Sequence, residues 1–151
     1  MLTEAEWEFA SRAGALTSRF YGSSAEMLQE YAVYSKNPPR RRGDPNDPND
    51  PQRTLRVGQL KPNDLGLFDV YGNVWEWGHD RRLEYPTDGT VSEDVEDHIL
   101  TVNNQQLRLR RGGSFTYEAL FQRSAHRGSM DGYAAQERRD SVGFRIGRTY
   151  R

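Results

Sequence analysis

Residues 69–80 read "DVYGNVWEWGHD" and set two of the chain's three tryptophans on either side of Glu76. A carboxylate between two of the largest apolar side chains is a poor core segment unless the backbone separates them. Extended backbone does so. In a strand, successive side chains point to opposite faces, which sends Trp75 and Trp77 one way and Val74 and Glu76 the other. The tryptophans can then enter a core while Glu76 faces elsewhere. Asp69 stands just before this run, and the carbonyls of Gly72 and Val74 are spaced by two residues. Two carboxylates and two carbonyls make a hard-oxygen set of the kind calcium takes. The competing reading is that Glu76 pairs with an arginine such as Arg145 and no metal binds.

Around this stretch the chain is hydrophilic, with a mean hydropathy of -0.95. Its 151 residues suit one domain. Hydrophobic residues make up 34% and are short of the aliphatic runs a parallel α/β sheet needs, whereas aromatics reach 11%. A small core of Trp, Tyr and Phe within much irregular chain is the expectation. Cysteine is absent, which removes disulfides, thiolate metal sites and cysteine nucleophiles. No segment approaches the ~20 apolar residues of a membrane span, and no signal peptide is evident at the N-terminus. A cytoplasmic location is the simplest expectation, with no membrane partner.

Charge is unevenly spread. Residues 1–100 carry 11 basic and 18 acidic side chains (-7), and residues 101–151 carry 10 and 4 (+6). The two halves are expected to neutralise each other on folding. The alternative is an arginine-rich face for an anion or nucleic acid, which the two lone lysines, Lys36 and Lys61, make the weaker reading.

"LTEAEWEFASRAG" carries the marks of a short helix. Thr3 caps it, Glu6 completes a capping box, Ala5, Trp7, Phe9 and Ala10 give an apolar surface, and Gly14 is the stop. "AEMLQEYAVY" predicts a second short helix running into extended chain. The Pro/Asp-rich segment at about 37–54 predicts an exposed loop, in which Asp44, Asp47 and Asp50 are read as solvated and the "RGD" of 42–44 as uninformative. Residues 55–68 predict turns or short strands, and 84–98 an acidic loop. "LRLRRGGSF" predicts a strand that ends at Gly112–Gly113, and "VGFRIGR" (142–148) a final strand.

Five of these segments, "LTEAEWEFASRAG", "VGQLKPNDLGLFDVYGNVWEW", "RRGGSF", "RSAHR" and "VGFR", occur in the order found in the formylglycine-generating enzyme, or sulfatase-modifying factor, family, which the chain resembles over nearly its whole length. The resemblance implies an α+β, C-type-lectin-like fold, loop-rich, with a small twisted antiparallel sheet and one or two short helices. Family domains normally carry a further strand–helix region before the "TEAEWE" helix, so an N-terminal half-domain or partner chain is an implied partner. The resemblance places structural calcium on Asp69, Gly72, Val74 and Glu76. A second family calcium site falls in the segment replaced here by the Pro/Asp loop and is not carried over.

Catalysis reads differently. Family oxidases bind copper through a cysteine pair whose first member would fall near Tyr117. Without cysteine there is no soft-ligand set, and no copper is expected. In the related sulfoxide synthases of ergothioneine biosynthesis, histidines of a separate domain hold iron. His79, His98 and His126 show no paired spacing and are read as surface or structural. Ser114, His126 and an aspartate make no triad, because no Gly-x-Ser-x-Gly elbow frames a serine. Binding remains. The loops after "GGSF" and before "VGFR" offer Thr116, Tyr117, Glu118, Gln122, His126, Ser129, Met130, Asp131 and Tyr133 to a protein or small-molecule ligand, a composition like that of adaptable paratopes. In this family that stretch carries the variable positions of diversity-generating retroelement targets, and other members are sensor domains of bacterial kinases or proteases. The expectation is a non-catalytic binding module. An enzyme completed by another half is the alternative, and an anion or nucleic-acid binder the weaker one. Arg123, Arg127 and Arg145 are read as structural ties to carboxylates.

Overall fold

A computed structural model describes residues 1–39, 52–81, 84–91, 108–128 and 139–148, and the structural statements below concern these. Most of the Pro/Asp-rich loop, the end of the acidic loop with His98, and Ser129, Met130, Asp131 and Tyr133 lie outside them.

Helix α1 spans Glu4–Arg12, and its capping box forms as the sequence requires. The Glu6 backbone N–H donates to Thr3 Oγ1 at 3.2 Å, and the Thr3 N–H to Glu6 Oε2 at 2.8 Å. The helix ends at Ala13, which turns left-handed one residue before Gly14. Its buried face differs from the expected one. Thr3, Trp7 and Ser11, spaced by four, are buried, whereas Phe9 is 74% exposed. Helix α2 is a single turn, Leu28–Tyr31, and passes into extended chain whose Val33 bridges to Gly72. Gly72 has a φ of 72°, and a Cβ there would collide with the Val33 carbonyl, so the close approach of the two segments requires glycine.

Strands β1 (Trp75–Arg81), β2 (Arg108–Arg111) and β3 (Val142–Phe144) form one sheet in the order β2-β1-β3. β2 pairs antiparallel with β1, opposing Arg110 to Trp77 and Arg111 to Glu76. β3 pairs parallel, opposing Gly143 to Glu76 and Phe144 to Trp77. The sheet is therefore mixed and not wholly antiparallel as expected. The α+β, C-type-lectin-like architecture, with few helices and extensive loops, is as the sequence indicated. No β-strand forms over residues 55–68. That segment makes turns held by Asn63, whose side-chain amide donates to the Ala10 carbonyl at 2.7 Å and accepts from the Leu65 and Leu67 N–H groups. The core beside α1 is aromatic: Trp7, Phe20, Tyr34 and Tyr71 pack with Leu28 and Val70. Among the described residues no helix is long and apolar enough to cross a membrane.

Two neighbouring arginines of β2 serve opposite faces of the sheet. Arg111, fully buried, meets Glu4 at 3.1 Å and also Glu8, and lies over the Trp7 ring. Arg110 lies over Trp75 and Trp77, 5.5 and 5.7 Å from their centroids. Arg127 pairs with Glu4 at 2.9 Å, and Arg145 with Glu76 at 2.6 Å. Each of these ion pairs joins an arginine of the basic half to a carboxylate of the acidic half, so the opposed charges meet inside the fold.

Candidate functional site

The expected alternation holds from Trp75 onward, where β1 begins, whereas Gly72 and Asn73 just before it are left-handed and not extended. Trp75 is 1% exposed and packs on the face carrying the 114–128 loop, while Glu76 turns to the α1 side. Glu76 is buried and saturated there. Its Oε2 accepts from Trp7 Nε1 at 2.7 Å and from Arg145 Nε at 2.9 Å, and its Oε1 from Arg145 Nη2 at 2.6 Å. Arg145 Nη2 also donates to the Phe68 carbonyl at 2.9 Å, which sets its guanidinium between the 68–69 corner and Glu76. Asp69, at a φ of 56°, accepts from the Gly58 N–H at 2.7 Å. Calcium held by Asp69, Gly72, Val74 and Glu76 would have to share Glu76 with this like charge. The hydrogen bonds seen occupy the Glu76 carboxylate in the way the arginine-pairing alternative expects. No group of three or more His, Cys, Asp or Glu among the described residues is placed for a metal.

The loop after β2 is fastened through its backbone. Gly112 and Gly113 both have positive φ and turn the chain out of the strand. The Phe115 N–H donates to Asn73 O at 3.0 Å, and Ser35 N–H to Tyr117 O at 3.0 Å. Arg19 donates to the carbonyls of Gln122 (2.8 Å) and Ala119 (2.6 Å), and Arg111 to those of Ser124 (2.6 Å) and Ala125 (3.2 Å). Gln122, expected on the loop surface, is fully buried. It lies flush against Gly113, where any Cβ would overlap it, and its amide donates to Ser114 O at 3.1 Å. It holds the loop and is not offered to solvent.

On this base a cluster of rings forms. Tyr117 meets Trp75 edge-on at 5.2 Å, Phe121 meets Tyr117 at 5.3 Å, and His126 lies 5.1 Å from Phe121 and 5.8 Å from Trp75. Tyr117, Phe121 and His126 are half-buried, with Thr116 and Glu118 exposed beside them. Burial lowers the pKa of His126 below its usual range, and Arg123 and Arg111 lower it further, so its neutral form is favoured. Of the expected binding residues, the structure thus brings Tyr117 and His126 together and sets Thr116 and Glu118 at their rim. Trp75, Phe121 and Arg110 join them without having been anticipated. The alternation along β1 points Trp75 toward this face, and that is the one sequence signal able to find it.

The chain matches the model of the sulfatase-modifying factor enzyme 1-like domain over residues 1–150. It is 33% identical to the formylglycine-generating enzyme of Mus musculus over 122 residues, 75% of this chain and 29% of that one. Its fold is similar to that of Treponema denticola variable protein 1, with a TM-score of 0.72, 28% identity, and coverage of 95% of this chain and 45% of that one. It is also similar to PvdO from Pseudomonas aeruginosa, with a TM-score of 0.64, 27% identity, and coverage of 95% and 50%. The chain thus spans half or less of the length of these relatives. With the capping box, the Gly-Asn-Val-Trp-Glu-Trp segment that leads into β1 and the glycine pair after β2 in place, the chain belongs to the formylglycine-generating enzyme, or sulfatase-modifying factor, family.

Proposed function

We propose that this chain is a non-catalytic binding module that takes a protein or small-molecule ligand on the 114–128 face. One observation carries the reading. Tyr117, Phe121 and His126 are half-exposed rings on a loop whose backbone is anchored by Arg19, Arg111 and Gln122, which is a recognition surface on a fixed base. The chain also lacks the cysteines that copper chemistry in this family needs. Similarity to a protein whose name says "variable" is consistent with a scaffold that carries changing loops. A cytoplasmic setting without a membrane partner is part of the same proposal.

The experiment is amide chemical-shift mapping against a mixed library of fragments and short peptides. Saturable shifts centred on residues 114–128 are expected. A library that shifts nothing there, on a protein shown to be folded, overturns the reading. A second reading, an enzyme completed by another half-domain or chain, is favoured by the chain covering only 45–50% of its structural relatives. Turnover that appears only when such a half is supplied would select it.

A further inference from the structure

Apart from the 114–128 face, and independent of the reading given to it, we infer that the outer edge of β3 pairs antiparallel with the same edge of a second copy of this chain. Among the described residues β3 is an end strand of the sheet, with β1 on one side and no strand on the other. The Trp75 N–H donates to the Ser141 carbonyl at 2.8 Å, and Trp75, Glu76 and Trp77 oppose Val142, Gly143 and Phe144. In a parallel ladder of that register the bonds to β1 fall on residues 141, 143 and 145. The Phe144 N–H and carbonyl therefore point outward, and no described residue bonds to either. The side chains beside them are apolar and uncovered, Phe144 at 65% exposure and Ile146 at 79%. The edge is also held in place. Arg145 is tied to Glu76 and to the Phe68 carbonyl, and Gly147 lies so close to Leu2 that a Cβ would overlap it. A fixed strand edge with exposed apolar side chains is a template for another strand.

The residues at alternate positions decide which strand. Along this edge they are Asp140, Val142, Phe144, Ile146 and Arg148: an acid, three apolar side chains and a base. β3 itself is Val142–Phe144, with Asp140 in the turn before it and residues 145–148 continuing as irregular chain. Two copies paired antiparallel about Phe144 set that ring against Phe144 of the second copy. The same register sets Val142 against Ile146 and Asp140 against Arg148, each twice by symmetry. Asp140 and Arg148 are both exposed, and neither has an ion-pair partner among the described residues. Aromatic, aliphatic and opposite-charge pairs across two strands are the favourable ones, so the pattern is its own complement. A slip of two residues opposes Asp140 to Ile146 and loses both charge pairs. A parallel pairing in register opposes Asp140 to Asp140. Segments this short bury less than the ~1,200 Å² of a standard interface, so the dimer is a weak one.

The test is sedimentation velocity on the whole chain from about 1 µM to 1 mM, with amide hydrogen exchange at Phe144. The mass should rise with concentration from 17.4 kDa towards twice that value, and the Phe144 amide should gain protection in step. Phe144→Lys should weaken the dimer by roughly tenfold or more. Asp140→Arg alone and Arg148→Asp alone each set like charges opposite one another, and each should weaken it by roughly three- to tenfold. Mixed one to one, those two variants present opposite charges at both ends and should form a mixed dimer as tight as the wild type. All three side chains are exposed, so circular dichroism and the unfolding midpoint should stay as in the wild type. If Phe144→Lys does not fold, the charge exchange decides alone. A folded protein that stays monomeric to the top of the range overturns the inference. So does a dimer indifferent to the charge reversals, or a mixture that restores nothing. Such a failure leaves the reading of the 114–128 face untouched.

Discussion

Removing the Glu76 carboxylate is the sharpest test of how this scaffold is held. Glu76→Ala deletes three hydrogen bonds at 2.6, 2.7 and 2.9 Å. It strands the Trp7 indole N–H of a residue only 3% exposed and frees Arg145, whose side chain is 24% exposed. An unpaired buried donor costs about 1–3 kcal/mol, and breaking a buried ion pair about 3–5 kcal/mol in all. Because solvent reaches Arg145 in part, the lower end applies, about 3 kcal/mol. For a domain of this size that lowers the midpoint by about 6–12 °C. Glu76→Gln, which keeps acceptors for Trp7 and one arginine nitrogen, should lose about half as much. Thermal and urea unfolding are measured with calcium and with chelator. If Trp7 and Arg145 satisfy Glu76 without a metal, the wild-type midpoint ignores both additions. If calcium binds at Asp69, Gly72, Val74 and Glu76, the midpoint rises with calcium, by mass action about 2.7 kcal/mol at a hundred times Kd, and Glu76→Ala abolishes the rise. A Glu76→Ala midpoint within a degree of wild type would refute the reasoning altogether.

Gln122→Ala should cost about 2 kcal/mol, read by urea unfolding, because it empties a buried site and unties the Ser114 carbonyl. Gly72→Ala should give little folded protein by circular dichroism, since its methyl would overlap the Val33 carbonyl at a positive φ. For His126 the folded pKa lies below the ordinary 6.5, so the unfolded chain takes up the proton first on acidification. Its contribution is complete above about pH 6.5, falls as the pH drops from there to the folded value, and is constant below. His126→Gln should remove that part of the acid sensitivity in unfolding curves taken from pH 5 to 8. Metal analysis of protein purified without chelator should find no stoichiometric copper.

What the sequence reveals here follows the range of the interaction involved. The Thr3–Glu6 capping box and the alternation along β1 are local, and both were readable because a few neighbouring residues decide them. The buried face of α1 was not. Ser11, a polar residue, is fully buried because Tyr71 donates to its carbonyl and its own hydroxyl donates to that of Glu8, while Phe9, the apolar choice, stays outside. The parallel pairing of β3 depends on a partner 67 residues away, and a three-residue strand carries no mark of its direction. Gln122 misleads for a related reason. Polar residues in loops are usually exposed, and only the missing Cβ of Gly113 makes room for this one. In the candidate site, Tyr117 and His126 were legible as loop residues. Trp75 and Arg110 were not, because strand residues read as core until the loop is seen lying over them.

Arg19 and Arg111 grip the 114–128 loop by its carbonyls, at residues 119, 122, 124 and 125, and not by its side chains. Carbonyl oxygens are the same whichever amino acid carries them. The fastening is thus indifferent to the identity of the residues it fastens, and positions 116, 118, 120 and 123 can change their chemistry while the main chain keeps its course. If the 114–128 face binds as proposed, substitution at those four positions should alter what is bound far more than how well the domain folds. In this fold the capacity to diversify is separated from the need to stay folded by which atoms the arginines choose.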